Sequence, residues 1–300
     1  MTGAGRYAPS PSGDLHVGNL RTAVVAWLLA RSTGRRFLLR IEDLDRDRSS
    51  TAVAERQIAD LLALGLDFDE PRWVQSERLE RHAAAITALG PERTYECYCT
   101  RREVAEAVRA PHQPPGAYPG TCAELTEQQR QRRRRERPPA LRVRAGGAEQ
   151  TVTDLWHGPV TAVVDDFVLR RNDGTPAYNL AVVVDDAESG VDQVVRGDDL
   201  LDSSPRQAWL AGELGWPAPT YGHVPLVLNG EGRRLAKRDG AVTLAELAAH
   251  GMGADQVLTR IAISLELATE GEPVTMAELR QRWDPARLPR TPWVLTGGLR

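Results

Sequence analysis

The segment over residues 11–19 (PSGDLHVGN) combines residue types that suit phosphate binding. It lies between a predicted strand and a predicted helix. A helix N-terminus offers unpaired backbone N–H groups and partial positive charge, which favour a bound phosphate. His16 adds a side-chain donor, and Gly18 leaves room for a close approach. The segment therefore predicts a phosphate site at the start of a helix, with an ordinary turn and N-cap as the alternative.

A second segment, the loop over 229–240, contains the one lysine of the chain, Lys237. All but one of the 38 basic residues are arginines. Lysine is a compact charge on a flexible stem, whereas arginine is a planar fork, so a retained lysine is a candidate for a specific role. Arg233, Arg234 and Arg238 lie beside it. A cationic loop of this kind can close over a triphosphate, and a solvated surface loop is the alternative.

The three cysteines of the chain, Cys97, Cys99 and Cys122, lie within 26 residues of one another. An odd number this small does not make a disulfide framework, so the clustering favours a metal. Tetrahedral zinc needs a fourth ligand, for which His112 is the conventional candidate. A closed site of this type is structural rather than catalytic. Three free thiols without a metal are the alternative.

The hydrophobic pattern predicts an α/β protein with a parallel sheet. A strand over 6–8, a helix over 15–31 and a strand over 37–41 form one βαβ unit, which ends at Glu42. A second helix is predicted over 51–64. Further along the chain the pattern predicts a helix-to-strand segment over 178–184 that runs into two aspartates, a strand over 194–197, a helix over 203–214 and a strand over 224–228.

The length of 300 residues and a hydrophobic content of 41% indicate a globular chain of about two domains. The expected organisation is a Rossmann-like catalytic domain split by an insertion, with a helical C-terminal part. Its boundaries are 1–95, 96–170, 171–240 and 241–300. The insertion carries the cysteines and an arginine run over 130–137, which predicts either an RNA-steering surface or a solvated helix face. No apolar run approaches the roughly 20 residues that cross a bilayer, and no secretory signal is visible, so we expect a cytoplasmic protein without a membrane partner.

Two motifs resemble the signature pair of the class I aminoacyl-tRNA synthetases. Residues 16–19 (HVGN) are similar to the HIGH motif, and residues 234–238 (RLAKR) are similar to the KMSKS loop. Residues 6–13 (RYAPSPSG), 40–43 (RIED) and 195–199 (VRGDD) resemble the glutamyl branch, and the resemblance runs from residue 6 to about 250. It implies activation of glutamate by ATP with Mg²⁺. The loop departs from the pattern at Arg234, which keeps a charge, and at Ala236, which lacks the usual hydroxyl.

The resemblance also implies roles for individual positions. The glutamate pocket would consist of Arg6, Ala8, Ser10, Glu42, Tyr178 and Arg196. ATP would be bound by His16, Gly18, Asn19, Arg234 and Lys237, with His16 and Lys237 as the catalytic residues. The physical chemistry is consistent, because arginine pairs with carboxylates and a carboxylate can hold an ammonium group. Glu42 also lies at the carboxyl end of a strand, where open α/β sheets bind ligands.

Within the glutamyl branch, the sequence is similar to a shortened family, the glutamyl-queuosine tRNA(Asp) synthetases. Only 62 residues follow Arg238, which is too few for the usual anticodon-binding part, and Val182 stands where longer enzymes have asparagine. This resemblance implies activation of L-glutamate without tRNA and transfer to the queuosine base in the anticodon stem-loop of tRNA(Asp). It also implies Tyr118 as the fourth ligand of one structural Zn²⁺. The alternatives are a short synthetase that charges the acceptor end, a nucleotidyltransferase with a related site, and a non-catalytic tRNA-binding module.

Overall fold

The computed structural model describes residues 3–100, 102–104, 118–235 and 242–295. The strands in this part of the chain are β1 (Ala4–Tyr7), β2 (Arg36–Ile41), β3 (Asp69–Val74), β4 (Thr94–Cys97), β5 (Ala140–Val143), β6 (Glu149–Asp154), β7 (Gly158–Val163), β8 (Val168–Arg170), β9 (Val191–Gly197), β10 (Thr220–Val224), β11 (Val227–Asn229) and β12 (Trp293–Leu295). The α-helices are α1 (Val17–Ser32), α2 (Thr51–Ala63), α3 (Leu79–Leu89), α4 (Glu127–Glu136), α5 (Tyr178–Ser189), α6 (Ser204–Glu213), α7 (Leu244–Ala249), α8 (Ala254–Ser264) and α9 (Met276–Arg282).

A seven-stranded sheet in the order β3-β2-β1-β9-β10-β6-β7 organises the chain. Its neighbours pair in parallel except for β6 and β7, which form an antiparallel hairpin at one edge. The predicted α/β class with a parallel sheet is therefore confirmed. Because β1 and β9 are adjacent, the turn after β1 and the loop after β9 meet at the same edge of the sheet, where open α/β sheets bind ligands.

Helix α1 is the most deeply buried helix segment of the fold and fixes the position of the turn before it. Twelve of its 16 residues are buried, because apolar side chains cover nearly its whole circumference. It packs on β1 and β9 on one side and against α8 and α9 on the other. The N-terminus of α1 is thereby held beside the carboxyl end of β1.

The prediction for residues 178–184 is wrong in one respect. The segment does not pass from a helix into a strand, since α5 continues to Ser189 and ends at Gly190, whose φ of 73° suits glycine. Asp185 and Asp186 therefore lie on a helix. The apolar run over 182–184 is buried within α5, and periodicity cannot distinguish such a buried helix segment from a buried strand.

Residues 96–170, the expected insertion, divide between two sheets. Strands β4, β5 and β8 form a separate three-stranded antiparallel sheet that carries the first cysteine, whereas β6 and β7 extend the large sheet beside β10. The contact between Asp154 of β6 and Tyr221 of β10 brings this region next to the loop after β9. None of the helices described here has the length and apolar character to cross a membrane.

Candidate active site

The turn over residues 9–14 is held in place by a buried glutamine of α2. The Nε2 group of Gln57 donates to the backbone carbonyls of Ser10 at 3.0 Å and Gly13 at 2.6 Å. The backbone amide of Glu42 donates to the carbonyl of Pro9 at 3.0 Å, which ties the turn to the end of β2. Sequence reasoning missed Gln57, because nothing in its local pattern distinguishes it from any polar residue of an amphipathic helix.

His16 is the N-cap of α1, and its hydrogen bonds fix which ring nitrogen carries the proton. Nδ1 of His16 accepts from the backbone amide of Asn19 at 3.2 Å, while the Asn19 side-chain oxygen accepts from the amide of His16. The neutral ring therefore carries its proton on Nε2, which is free to donate. Burial lowers the pKa of His16, and the positive charge of Arg234 lowers it further. A Cβ atom at Gly18 would lie 3.0 Å from this ring, so a larger residue there would push against the imidazole.

One cleft of about 660 Å³ is lined by the ten described residues that the sequence assigns to glutamate and ATP. These are Arg6, Ala8, Ser10, Glu42, Tyr178, Arg196, His16, Gly18, Asn19 and Arg234. Arg234 pairs with Asp199 across 2.6 Å, with both side chains partly exposed. Lys237 and Ala236 belong to residues 236–241, which lie outside the described part of the chain. The structure thus brings together every assigned residue that it describes.

A buried ion network supports the part of the cleft that the sequence resemblance assigns to glutamate. The Oδ1 atom of Asp186 accepts from Arg6 Nε at 3.2 Å and from Arg40 Nη1 at 2.5 Å. Arg40 also donates to Glu42 Oε1 at 3.0 Å, so Glu42 Oε2 remains available to a ligand. Burial would raise the pKa of Asp186, but the charges of Arg40 and Arg6 hold it below its usual range. For Glu42 burial prevails over the same arginines, and its pKa is raised.

Arg196 is almost completely buried, and its guanidinium contacts only neutral acceptors among the described residues. A guanidinium has five N–H donors, and each of these donors has a partner here. The acceptors are His223 Nε2 at 3.0 Å, Gln207 Oε1 at 2.8 Å, Ser204 Oγ at 2.8 Å, the Leu200 carbonyl at 3.3 Å and Tyr178 Oη at 3.4 Å. A buried cation without a carboxylate partner favours an anionic ligand.

A second cavity of about 1020 Å³ adjoins the cleft. The two share Ser10, Glu42 and Tyr178 as lining residues. The opposite wall of the second cavity includes Arg137 and Arg171 together with Cys97 and Cys99. A ligand in this cavity would therefore lie between the glutamate pocket and the cysteine cluster.

The three cysteines converge with the predicted tyrosine. Their Sγ atoms lie within 4.8 Å of one another. The hydroxyl of Tyr118 is 3.4 Å from Cys97 Sγ and 3.5 Å from Cys99 Sγ, and it accepts from the Cys122 amide at 3.0 Å. Three thiol sulfurs and one phenol oxygen around one point make a donor set compatible with tetrahedral zinc. His112 lies outside the described residues.

The arginine run forms α4, which has no buried residue. Arg134 pairs with Glu96 at 2.8 Å and Glu127 at 2.9 Å. In contrast, Arg133 and Arg135 make no ion pair with any residue that the structure describes. The helix therefore presents uncompensated positive charge to solvent. This exposure is consistent with both an RNA-steering surface and a solvated helix face, the two interpretations that the sequence leaves open.

Residues 4–294 match the family model for tRNA synthetases class I (E and Q), catalytic domain. The fold and the cleft thus define a class I aminoacyl-tRNA synthetase catalytic domain. A crystal structure of a glutamate tRNA ligase from Elizabethkingia meningosepticum in complex with its amino acid is similar, with a TM-score of 0.84 and 26% identity. The match covers 98% of this chain and 67% of that one.

Two relatives narrow the assignment. A glutamyl-Q tRNA(Asp) synthetase from Nocardia farcinica is 61% identical over 98% of this chain and 93% of its own length. Another, from Cutibacterium acnes, is 53% identical over 90% of this chain and 78% of its own length. The chain belongs to the glutamyl-Q tRNA(Asp) synthetase family, which confirms the resemblance seen in its motifs.

Proposed function

We propose that this protein activates glutamate with ATP in the absence of tRNA and transfers it to the queuosine base of tRNA(Asp). The observation that carries the proposal is one cleft lined by Arg196, by the carboxylate of Glu42 and by the capped N-terminus of α1. Among the described residues, Arg196 has no carboxylate partner. The names of the relatives support the same reaction. Because the substrates are ATP and tRNA, we place the reaction in the cytoplasm.

Glutamate binds between Arg196 and Glu42. Its side-chain carboxylate pairs with Arg196, since that buried guanidinium contacts only neutral acceptors among the described residues. Its ammonium group contacts Glu42 Oε2, because Oε1 is already bonded to Arg40. This orientation directs the α-carboxylate towards His16 at the other end of the cleft.

Activation is an in-line substitution at the α-phosphorus of ATP. A glutamate α-carboxylate oxygen forms the new bond to the α-phosphorus, the bond from that phosphorus to the oxygen that bridges to the β-phosphate breaks, and pyrophosphate leaves. Mg²⁺ bound with ATP would supply charge neutralisation at the phosphates. No protein nucleophile is required, because positioning and electrostatic stabilisation account for such steps. The Nε2–H group of His16 and the N-terminus of α1 stabilise the developing negative charge, together with Lys237 as the sequence motif predicts.

Transfer takes place where the cleft and the second cavity meet. A queuosine hydroxyl attacks the acyl carbon of glutamyl-adenylate, AMP leaves with the electrons of the broken acyl–oxygen bond, and the hydroxyl proton passes to a phosphate oxygen of the leaving AMP. The residues shared by the two cavities, Ser10, Glu42 and Tyr178, lie at this junction. The anticodon stem-loop then extends over the surface formed by α4, whose exposed arginines suit an RNA backbone.

One structural zinc is part of the proposal. Cys97, Cys99, Cys122 and Tyr118 would hold it, and it would join the end of β4 to the segment before α4. When bound, the metal supplies a cross-link within the region that faces the second cavity, and a closed site of this kind has no open position for chemistry.

The first experiment is ATP–pyrophosphate exchange without tRNA, in the presence of glutamate, glutamine or aspartate. We expect exchange with glutamate alone. If exchange appears only after tRNA is added, the tRNA-independent part of the proposal is wrong. If tRNA also fails to produce exchange in folded protein, a non-catalytic role replaces the proposal.

The acceptor is tested with three forms of tRNA(Asp). We expect radioactive glutamate to label queuosine-containing tRNA, including tRNA that lacks its 3′-terminal adenosine, and not tRNA with guanosine at the wobble position. Labelling that depends on the terminal adenosine would instead identify a synthetase that charges the acceptor end.

A further inference from the structure

Behind Arg196 lies a buried aspartate–histidine pair that does not line the cleft. The Nε group of Arg196 is 3.0 Å from His223 Nε2, and His223 Nδ1 is 2.6 Å from Asp154 Oδ2. Relative exposures are 6% for Arg196, 0% for His223 and 2% for Asp154. A substrate in the cleft therefore contacts Arg196 without reaching the pair.

The hydrogen bonds require one tautomer of His223. Because Arg196 Nε–H can only donate, His223 Nε2 must accept, and the ring proton must be on Nδ1. Nδ1–H then donates to the carboxylate of Asp154, which has only acceptors when it is ionised. Burial would raise the pKa of Asp154, but hydrogen bonds from His223 and from the amides of Trp156 and His157 hold it below its usual value. Burial also lowers the pKa of His223, which keeps the ring neutral.

The pair orients Arg196 without neutralising it. A carboxylate bonded directly to the guanidinium would compete with an anionic substrate, whereas the neutral imidazole places the charge of Asp154 one ring further away. Arg196 Nη1 donates one hydrogen bond to Gln207 Oε1 at 2.8 Å, and Nη2 donates one to Ser204 Oγ at 2.8 Å. The two longest contacts, to the Leu200 carbonyl at 3.3 Å and Tyr178 Oη at 3.4 Å, are the ones a substrate carboxylate would replace.

We propose that Asp154 and His223 are positioning residues that fix Arg196 as the receptor for the side-chain carboxylate of the substrate, and so set the preference for glutamate over glutamine. The inference rests on the proposed function, since it assumes that glutamate binds at Arg196. It also explains why β6 joins the large sheet beside β10: this pairing delivers Asp154 to His223.

The sharpest test is Asp154→Asn, which changes the pattern of donors and acceptors without changing the size of the side chain. The Asn side-chain oxygen would still accept from the backbone amides of Trp156 and His157, so the Asn NH₂ group would face His223 Nδ1. That contact moves the ring proton to Nε2, where two donors then face each other at Arg196. We expect the KM for glutamate to rise roughly ten- to a hundredfold, the effect of one lost charge-assisted hydrogen bond in a buried site. The KM for ATP should change less than about twofold.

A second variant, His223→Gln, keeps both functions of the ring in a different side chain. Its carbonyl oxygen can accept from Arg196 while its NH₂ group donates to Asp154. We therefore expect the KM for glutamate to stay within about threefold of the native value, whereas His223→Leu should resemble Asp154→Asn. Asp202→Asn is the matched control, because it removes an exposed carboxylate two residues before Ser204.

All measurements use ATP–pyrophosphate exchange, together with thermal melts to verify folding and with glutamine as a competing substrate. The inference is overturned if folded Asp154→Asn keeps the native KM for glutamate, or if the KM values for glutamate and ATP rise together. It is also overturned if His223→Gln loses more than about tenfold in glutamate KM. Absence of glutamate-dependent exchange in the native protein would instead contradict the proposed function.

Discussion

The Oδ1 atom of Asp186 lies 2.5 Å from Nη1 of Arg40 beneath the cleft, where both side chains are buried. Arg6 donates to the same oxygen at 3.2 Å, so two buried cations share the Asp186 carboxylate, and Arg40 pairs with Glu42 as well. The end of β1, the end of β2 and the C-terminal half of α5 are joined at this point. Glu42 and Arg6, which line the cleft, both take their positions from this contact.

Replacing Asp186 with asparagine should therefore destabilise the fold. Asp186→Asn leaves Arg6 and Arg40 without their shared carboxylate, and breaking a buried ion pair costs about 3–5 kcal/mol. The free energy of unfolding from urea titrations measures the effect. Asp192→Asn is the control, because its pair with Arg35 lies at the surface, where both side chains are partly exposed, and should contribute less than about 1 kcal/mol. Equal losses in the two variants would show that the buried network adds no more than a surface pair.

Glu42→Gln should weaken glutamate binding selectively. The variant keeps an oxygen for Arg40 but loses the negative charge that attracts the substrate ammonium, so we expect the KM for glutamate to rise roughly tenfold or more. In the proposed mechanism the ionised form of Glu42 binds the substrate ammonium, and burial raises the pKa of Glu42. As the pH is lowered, Glu42 should therefore become protonated at a higher pH than an ordinary glutamate side chain does. The KM for glutamate should begin to rise at that higher pH.

The pH profile of Glu42→Gln provides the check on this assignment. Because the amide does not titrate, the variant should lose the acid-side rise in KM that the native protein shows. The KM for ATP should be the same in both proteins. A native acid limb that persists in Glu42→Gln would assign the titration to another group.

The residues of the cleft could be anticipated from the sequence because they belong to short contiguous motifs. His16, Gly18 and Asn19 are neighbours in the chain, and Glu42 ends a recognisable strand. The supporting residues could not be anticipated in this way. Asp154 and His223 are 69 positions apart, and they meet only because β6 pairs with β10, which no local pattern indicates. The secondary structure of residues 178–184 was ambiguous for a related reason, since a buried apolar run does not reveal whether it is helix or strand.

Metal analysis distinguishes the two candidate fourth ligands of the zinc site. We expect the purified protein to contain one zinc per chain, and Tyr118→Phe to lower the affinity for zinc, because the phenol oxygen lies beside the thiols. His112→Ala serves as the matched control and should keep the native zinc content. Atomic absorption after dialysis against a chelator measures both variants. Loss of zinc in His112→Ala with retention in Tyr118→Phe would assign the histidine.

Removing exposed positive charge from α4 should affect tRNA binding and leave amino-acid activation intact. Arg133 and Arg135 have no ion-pair partner among the described residues, and Arg132 has only an exposed contact with Glu136 at 3.9 Å. In the triple variant Arg132→Gln, Arg133→Gln and Arg135→Gln, we expect a higher KM for tRNA(Asp) and a shallower dependence of tRNA binding on salt, because fewer phosphate contacts release fewer counterions. A control triple variant of the exposed arginines Arg280, Arg287 and Arg290 changes the net charge equally. If both variants weaken tRNA binding to the same extent, only net charge matters and α4 is a solvated face.

His16→Asn separates the role of His16 in capping α1 from its role in the reaction. Asparagine is a good N-cap, so it can keep the acceptor for the Asn19 amide and preserve stability, but its NH₂ group is too short to reach the position of Nε2–H. Removing one donor to a developing charge costs roughly a hundred- to a thousandfold in kcat, and we expect a loss of this size in ATP–pyrophosphate exchange. The KM for glutamate should change little, since the proposed mechanism places His16 beside the phosphates of ATP. If kcat stays within about threefold of the native value in a protein that melts normally, the cap is the whole function of His16, and the charge on the α-phosphate must be stabilised by the N-terminus of α1 and the loop that carries Lys237.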